Sequence, residues 1–496
     1  MNILGISAGW HDASATILSR RGELLFAGHS ERYSGIKNDP NISRGLVEDM
    51  YGFDIDHIAY YERPWVKQLR RWYSGEGIEW NKLRTRQILE QQLREFCDEP
   101  STSMKISSHS HHLSHAAAGF QTSPFDRATV VIIDAIGEWD TISIWGAEYQ
   151  DGQARYRRLW GQRYPHSIGL FYSAMTQRVG LKPNEEEYIL MGMAAYGKRS
   201  MGSWLQQKTV QDEWDITFQD NMHAGLDPSL LRHVGDVDIA ASTQYVTETL
   251  VLNVMKRARD AGWSCNLVYG GGVALNCSIN QYVGDYFDKI WIMPNPGDSG
   301  SSLGAAALAY GRRVEWTDPY LGYCIPGDYP VNAAVDLLLT TGICGVASGR
   351  AEFGPRALGN RSLLADPRGR HVRDQVNEIK QRQKFRPFAP VILEEFAEQY
   401  FDMPRGWSTS PYMQTVARCR EPGLFPAVCH YDGTSRVQTV PKDCRSGIRE
   451  LLEKWLLVTD CPMLLNTSLN IRGEPMVNDL SDAIRFQERY GIQVVS

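Results

Sequence analysis

Residues 129–145 read TVVIIDAIGEWDTISIW, and the fold turns on this stretch. Thr129 to Ile133 is β-branched and apolar enough for a buried strand, Asp134 ends it, Gly137 punctuates, and Thr141 to Trp145 resumes the run. The start of the chain follows the same plan: Ile3 to Ser7 as a strand, Gly9-Trp10-His11-Asp12 as a polar turn, and Ala15 to Leu18 as a second strand. Two strand–turn–strand units predict a duplicated module, each copy presenting its turn to a ligand. Further along, Asn266 to Tyr269 runs as a strand into Gly270-Gly271-Gly272. Lys289 to Met293 is another strand, followed by Pro294 to Gly300 and an alanine-rich helix over Ser302–Tyr310. Strands alternating with helices indicate an α/β architecture, in which ligands gather where strands end and helices begin.

At 496 residues the chain exceeds one ordinary domain, and Pro319, Gly322, Pro326, Gly327 and Pro330 break every periodicity, so a boundary is expected there. Hydrophobic residues at 43% and charged residues at 22% describe a folded protein. A net charge of −6 argues against a protein that coats nucleic acid. No apolar run approaches the ~18 residues of a membrane span, and the first residues lack a signal peptide's order. The nine cysteines, Cys97 among them, are scattered with no CxxC pair, which fits reduced thiols better than a disulfide framework or a cysteine zinc site. These features predict a soluble cytoplasmic enzyme with no membrane partner.

Three groups of residues carry candidate chemistry. His111 and His115 lie four apart before an alanine run that favours helix, so both project from one face and can share a metal ion. Asp134 and Asp298 at strand ends would complete a mixed N/O set suited to Fe(II), Zn or Mn, between which ligand softness does not choose. His109 and His112 would point to other faces. The glycines at 270–272 and Asn276 offer backbone amides at a strand–helix junction, either as a phosphate approach or as a plain tight turn. Between Arg350 and Arg386 stand ten basic and four acidic residues, a +6 window in a −6 chain. Its charges alternate with Gly, Pro, Phe and Leu, which suits arginines pinned for phosphate better than a solvated face. Glu185 to Glu187 and Met191 to Lys198 read as a capped helix and its glycine stop. P-loop, Rossmann and nucleophile-elbow motifs are missing.

Strings spread along nearly the whole chain resemble the O-carbamoyltransferase family of nodulation-factor and antibiotic biosynthesis. They are GISAGWHDAS (5–14), HHLSHA (111–116), DAIGE (134–138), GMAAYG (192–197), GGGVALN (270–276) and GDSGSSLGA (297–305). GRAEFGPRALGNRSLLADP (349–367), FRPFAP (385–390), DGTSRVQTV (432–440) and LNTSLNIRG (465–473) follow. The resemblance implies an actin-like, duplicated α/β domain over 1–326, similar to the catalytic subunit of tRNA threonylcarbamoyl transferases, which carries the metal site and carbamoyl transfer. It implies a YrdC-like α/β domain over 327–496 that makes carbamoyl adenylate from carbamoyl phosphate and ATP with Mg²⁺. A hydroxyl of a small-molecule natural product then receives the carbamoyl group.

By the same resemblance His111, His115, Asp134 and Asp298 are ligands of one divalent transition metal, Fe²⁺ or Zn²⁺. Lys380, Arg386, Arg436 and Ser468, with Arg356 and Asn466 beside them, hold carbamoyl phosphate and adenylate. His11 falls near the transferring group as the catalytic residue, and Gly271, Gly272 and Asn276 match the nucleotide-side loop. One position departs: Ile189 stands where related sequences often carry Lys. Two other readings share the first domain, a tRNA-modifying threonylcarbamoyl transferase and a non-catalytic ATP- or metal-binding actin-like module. The net charge and the second-domain strings weigh against the first; pyrophosphate release from ATP that depends on carbamoyl phosphate separates the second.

Overall fold

The computed structural model describes residues 2–93, 104–227, 231–383, 386 and 388–496. Cys97, Lys384, Phe385 and Pro387 of the stretches discussed above lie outside them. Two units emerge. One comprises Met1–Ser30 and Asn38–Trp316, the other Glu31–Lys37 and Thr317–Ser496.

The first unit is a mixed α/β structure built on two five-stranded sheets. β1 (Asn2–Ser7), β2 (Ser14–Ser19), β3 (Leu24–His29), β4 (Ile55–Tyr60) and β5 (Lys105–Ser108) form the first, in the order β3-β2-β1-β4-β5. The first three are antiparallel neighbours, whereas β4 and β5 extend the sheet in parallel. Between β4 and β5 runs α1 (Pro64–Tyr73), and after β5 comes α2 (His111–Thr122). β6 (Arg127–Gly137), β7 (Asp140–Gln150), β8 (Gln153–Arg163), β9 (Asn266–Gly270) and β10 (Lys289–Trp291) make the second sheet, in the order β8-β7-β6-β9-β10. Its pairing repeats the first: three antiparallel strands, then two parallel ones. The duplication expected from the two strand–turn–strand units is therefore present in the topology itself.

Register explains where the first unit places its functional turns. β6 pairs with β7 as far as Ile133 opposite Ile142, and the ladder then shifts before Gly137 meets Asp140. Asp134 lies in that irregular stretch, released from regular pairing. α2 buries Ala116 and Phe120 against Val130, Ile132 and Val268 of the second sheet. α3 (Ser301–Tyr310) presses on two elements at once. A Cβ on Gly5 of β1 would sit 1.9 Å from the Ser302 carbonyl oxygen, and one on Gly304 would sit 1.8 Å from that of Ser114 in α2. Glycine at both places lets backbones approach to distances a side chain forbids. Ser14 of β2 fastens the start of α3 by donating from Oγ to the Ser299 carbonyl at 2.6 Å.

The second unit has a six-stranded sheet: β11 (Ile343–Ala347), β12 (Arg361–Ala365), β13 (Ala389–Leu393), β14 (Gln438–Val440), β15 (Met463–Ser468) and β16 (Val494–Val495), in the order β14-β13-β15-β12-β11-β16. Asn466 on β15 lies opposite Leu364 of β12 on one side and Ala389 of β13 on the other. Ile392, Leu464 and Trp455 are among the buried residues of the core beneath. Arg361 is fully buried, and its guanidinium donates to the carbonyls of Asn478, Ser348, Asn360, Tyr323 and Gly349 at 2.8–3.2 Å. This arginine of the basic window is spent on holding loops together. Arg368 is likewise committed to Asp366. Among the described residues no helix is long and apolar enough to cross a membrane.

Replacing Gly304 with Ala forces a methyl group into the Ser114 carbonyl. The expected loss is about 1–3 kcal/mol, read as an earlier urea midpoint, because the clash involves backbone on both sides.

Candidate metal centre and a second, cationic site

Four side chains from three elements converge in the first unit. His111 opens α2 and His115 follows one turn later, so both rings leave the same face. Their Nε2 atoms lie 3.1 Å apart. Asp134 from the end of β6 places Oδ2 at 3.1 Å from His111 Nε2 and 3.6 Å from His115 Nε2. Asp298, in the turn before α3, places Oδ1 at 3.2 Å from both imidazole nitrogens. All four donor atoms fall within 4.8 Å of one another, three of the residues are buried and Asp298 is half-buried. Two imidazole nitrogens and two carboxylate oxygens aimed at one point fit a first-row divalent ion.

The electrostatics express the same convergence. Burial works against the charged form of His111, yet Asp298, Asp134 and Glu62 outweigh it and raise the imidazole well above its usual range. His115 is also raised: burial opposes, and Asp134 and Asp298 prevail. Asp134 is held well below the usual carboxylate range, since the hydrogen bonds of His111 and His115 overcome its desolvation.

A further ring of contacts orients these groups. His111 Nδ1 lies 3.4 Å from Glu62 Oε2, and Lys67 Nζ donates to the same oxygen at 3.0 Å. His115 Nδ1 lies 3.3 Å from Ser301 Oγ. A Cβ on Gly137 would stand 2.5 Å from the rings of His111 and His112, so the β6–β7 turn can lie against them only as glycine. His112 turns the other way, its Nδ1 2.8 Å from Ser143 Oγ, and burial drives its pKa down to about 3. His109 stands apart beside Ser107, lowered to about 4 by burial and by His57 and Lys105. Glu62, Lys67 and Ser301 escaped the sequence reading.

The glycine loop is engaged internally. Gly271 has φ +87°, its N–H donates to the Pro296 carbonyl at 2.9 Å, and a Cβ there would meet the Ile133 carbonyl oxygen at 2.2 Å. Gly272 N–H donates to Asp134 Oδ1 at 3.1 Å. Asn276 exchanges two amide hydrogen bonds with Gln244, both 3.1 Å, and caps the helical turn at Ile279. In this structure these three positions fasten Asp134 and the following helix; their amides are not presented to a phosphate. Ile189, where relatives often carry Lys, is a buried core residue.

His11 lies within the turn in which Gly9 takes φ +90° and Asp12 takes φ +46°. Its Nδ1 lies 3.1 Å from Asp12 Oδ2. Burial lowers the imidazole, but the Asp12 hydrogen bond and the charges of Asp12, Asp298 and Asp134 raise it to about 9. His11 is thus a cation at neutral pH. Trp10 beside it is flanked by Lys67 Nζ at 4.3 Å and Lys82 Nζ at 4.5 Å from the ring centre.

In the second unit Lys380 is buried at the end of the helix Arg370–Ile379. Its Nζ donates to Ser468 Oγ at 3.1 Å, to the Asn470 carbonyl at 2.9 Å, to Asn470 Oδ1 at 2.9 Å and to the Ser468 carbonyl. Burial, then Arg382, Arg386 and Lys37, depress its pKa well below the lysine range. Lys380, Ser468 and the field of Arg386 therefore meet. Asn466 donates to the Ala357 carbonyl at 3.1 Å and to Gln438 Oε1 at 2.7 Å, while its buried Oδ1 has no hydrogen-bond partner. Arg356 is the chain neighbour of Ala357, and Arg436 stands two residues before Gln438 with its Nε buried and without a partner.

Family models for the carbamoyltransferase N-terminus and C-terminus match residues 2–307 and 335–496. The nodulation protein NolNO of Sinorhizobium fredii is 30% identical over 96% of this chain and 76% of its own length. The 3'-hydroxymethylcephem-O-carbamoyltransferase of Amycolatopsis lactamdurans is 29% identical over 99% of this chain and 97% of its own. Protein sll1178 of Synechocystis is 33% identical over 98% and 94%. Among solved structures, HypF in its phosphate- and nucleotide-bound form aligns with 62% of this chain and 55% of its own at 12% identity, with a TM-score of 0.34.

In the metal-free chain the His11 ring should titrate near 9, and Asp12→Asn should move its midpoint down toward 6.5; histidine NMR signals followed against pH check both. Because the folded-state pKa is raised, the stabilisation from this contact is complete below about 6.5 and is lost as pH rises through about 9. Stability curves of the Asp12→Asn variant should show a shallower decline, since only the charges of Asp298 and Asp134 then raise the ring.

Proposed function

We propose, from the premise that this chain belongs to the carbamoyltransferase family and is a transferase enzyme, that it is an ATP-dependent O-carbamoyltransferase acting on a hydroxyl of a small-molecule natural product. Carbamoyl phosphate, one water and ATP give carbamoyl adenylate, pyrophosphate and phosphate: water cleaves carbamoyl phosphate to carbamate and phosphate, and a carbamate oxygen then bonds to the α-phosphorus of ATP as the bond to pyrophosphate breaks. The acceptor oxygen then bonds to the carbamoyl carbon, the bond from that carbon to the AMP oxygen breaks, and the hydroxyl proton passes to a base. The observation that carries this reading is the pair of side-chain clusters, one of two imidazoles with two carboxylates and one of a buried ammonium in a field of arginines, each built from residues inside one family domain.

The carbamoyl group is a poor electrophile because its nitrogen donates into the carbonyl, so attachment to AMP is needed to supply a leaving group. In the second unit Lys380, Ser468, Arg386 and Arg436 are the groups proposed to bind and orient phosphate oxygens, with Arg356 and Asn466 beside them; an Mg²⁺ would accompany the triphosphate. In the first unit His111, His115, Asp134 and Asp298 would hold the divalent ion, which supplies Lewis-acid stabilisation of charge developing on the transferring group. His11, protonated as it stands, can donate to an oxygen of that group. To act as general base it must first be neutral, and a divalent cation between Asp134 and Asp298 would cancel two of the charges that raise it. One relative's name gives a hydroxymethylcephem as the group it carbamoylates, and an acceptor of that small-molecule kind is proposed here, in the cytoplasm.

Pyrophosphate release from ATP that depends on carbamoyl phosphate tests this function. Arg436→Ala should lower it by about 10²-fold or more. His111→Ala should leave it intact while abolishing appearance of the carbamoylated acceptor by mass spectrometry. Loss of both activities in the His111 variant would overturn the division of labour between the units.

A further inference from the structure

We propose that Glu62, clamped by Lys67, is the positioning residue of the metal centre. It holds the His111 proton on Nδ1 and so leaves Nε2 bare for the ion. This inference rests on reading the four-residue cluster as a metal centre.

The requirement begins with the ligand ring. A neutral imidazole has one N–H and one lone pair, and only the lone pair can bind a metal. His111 Nε2 faces Asp134 Oδ2 at 3.1 Å, Asp298 Oδ1 at 3.2 Å and His115 Nε2 at 3.1 Å, all members of the donor set. Its proton must therefore sit on Nδ1, where Glu62 Oε2 lies at 3.4 Å. A carboxylate accepts and never donates, so it enforces one tautomer. The corresponding neighbour of His115 is the Ser301 hydroxyl at 3.3 Å, which can donate or accept and enforces none. Control of tautomer in this centre thus falls to Glu62.

The alternative is that Glu62 and Lys67 form an ion pair that merely anchors α1. The contacts speak against that. Glu62 is fully buried, yet its second oxygen, Oε1, has no hydrogen-bond partner, and its Oε2 is divided between His111 and Lys67. A carboxylate kept for anchoring would normally satisfy both oxygens, because each unsatisfied buried acceptor is destabilising. Lys67 supplies the compensating charge and lies 4.3 Å from the Trp10 ring centre, which ties the ligand-orienting pair to the turn that carries His11. Outer contacts of this type raise the basicity of a ligating imidazole and typically change metal affinity 10–100-fold when removed.

The test uses the full-length, metal-stripped chain titrated with Co²⁺, read by its visible absorption and by competition with a chelator. Glu62→Gln should weaken Co²⁺ binding by about 10–100-fold and shift the absorption bands of the folded chain. Should that variant fold poorly because Lys67 is left unpaired, the uncharged pair Glu62→Gln with Lys67→Met keeps the packing and should show the same weakening. A folded variant that binds Co²⁺ within about threefold of the wild type would overturn the proposal. If the wild-type chain takes up no Co²⁺, the metal-centre reading itself fails, and this inference with it.

Discussion

Two carboxylates brought together away from water govern the first unit. Asp134 and Asp298 stand 164 residues apart in sequence and repel each other at the cluster. Burying like charges is unfavourable unless other groups compensate. Here the compensation is the imidazole pair, drawn toward protonation by the acids it faces. Everything that delivers those four groups to one point, namely the shifted end of β6, the first turn of α2 and the turn before α3, is fixed by packing outside the cluster. The cluster therefore adds to the demands on the fold. A divalent cation would meet that demand with a single ion.

The delivery depends on backbone proximity more than on side-chain packing. Gly304 lets α3 touch α2 one residue before His115, Gly137 lets the β6–β7 turn lie on two histidine rings, and Gly271 lets its loop reach the end of β6. Gly272 then spends its N–H on Asp134. These glycines share one purpose, since each removes a side chain that would push a ligand away from its place. At these positions glycine serves the geometry of the histidine–aspartate cluster. A phosphate cradle would require amides left unspent, and the loop at 270–272 has committed two of them.

How much of this was legible in sequence follows from range. The β-branched run ending in Asp134 and the i, i+4 histidines are local patterns, so strand, helix and the shared face of His111 and His115 could be read directly. Repetition of the strand–turn–strand plan announced the doubled topology for the same reason. Glu62 was not legible, although it stands two residues past the end of β4 much as Asp134 stands near the end of β6; nothing local says that its carboxylate will meet a histidine 49 residues later. Arg361 misled in the opposite direction. Charge counting placed it in a phosphate-binding window, whereas five carbonyls take up its guanidinium in the interior. Composition gives the sign of a region's charge but not the partners each charge will find.

The second unit carries the mirror image of the first unit's electrostatic problem. Lys380 is a buried ammonium whose hydrogen-bond acceptors are neutral oxygens of Ser468 and Asn470, and the charges that act on it most, Arg382, Arg386 and Lys37, are all positive. Such an arrangement lowers the lysine's hold on its proton and becomes favourable once an anion enters. The proposed chemistry supplies that anion as a phosphate and supplies the complementary cation to the carboxylates of the first unit. In the second unit the positive charges stay uncompensated until an anion arrives, whereas in the first the imidazoles compensate the acids until a cation of the proposed kind would take their protons' place. If the proposed function holds, its choice of phosphorylated substrates rests on the charge that the second unit leaves uncompensated as much as on shape.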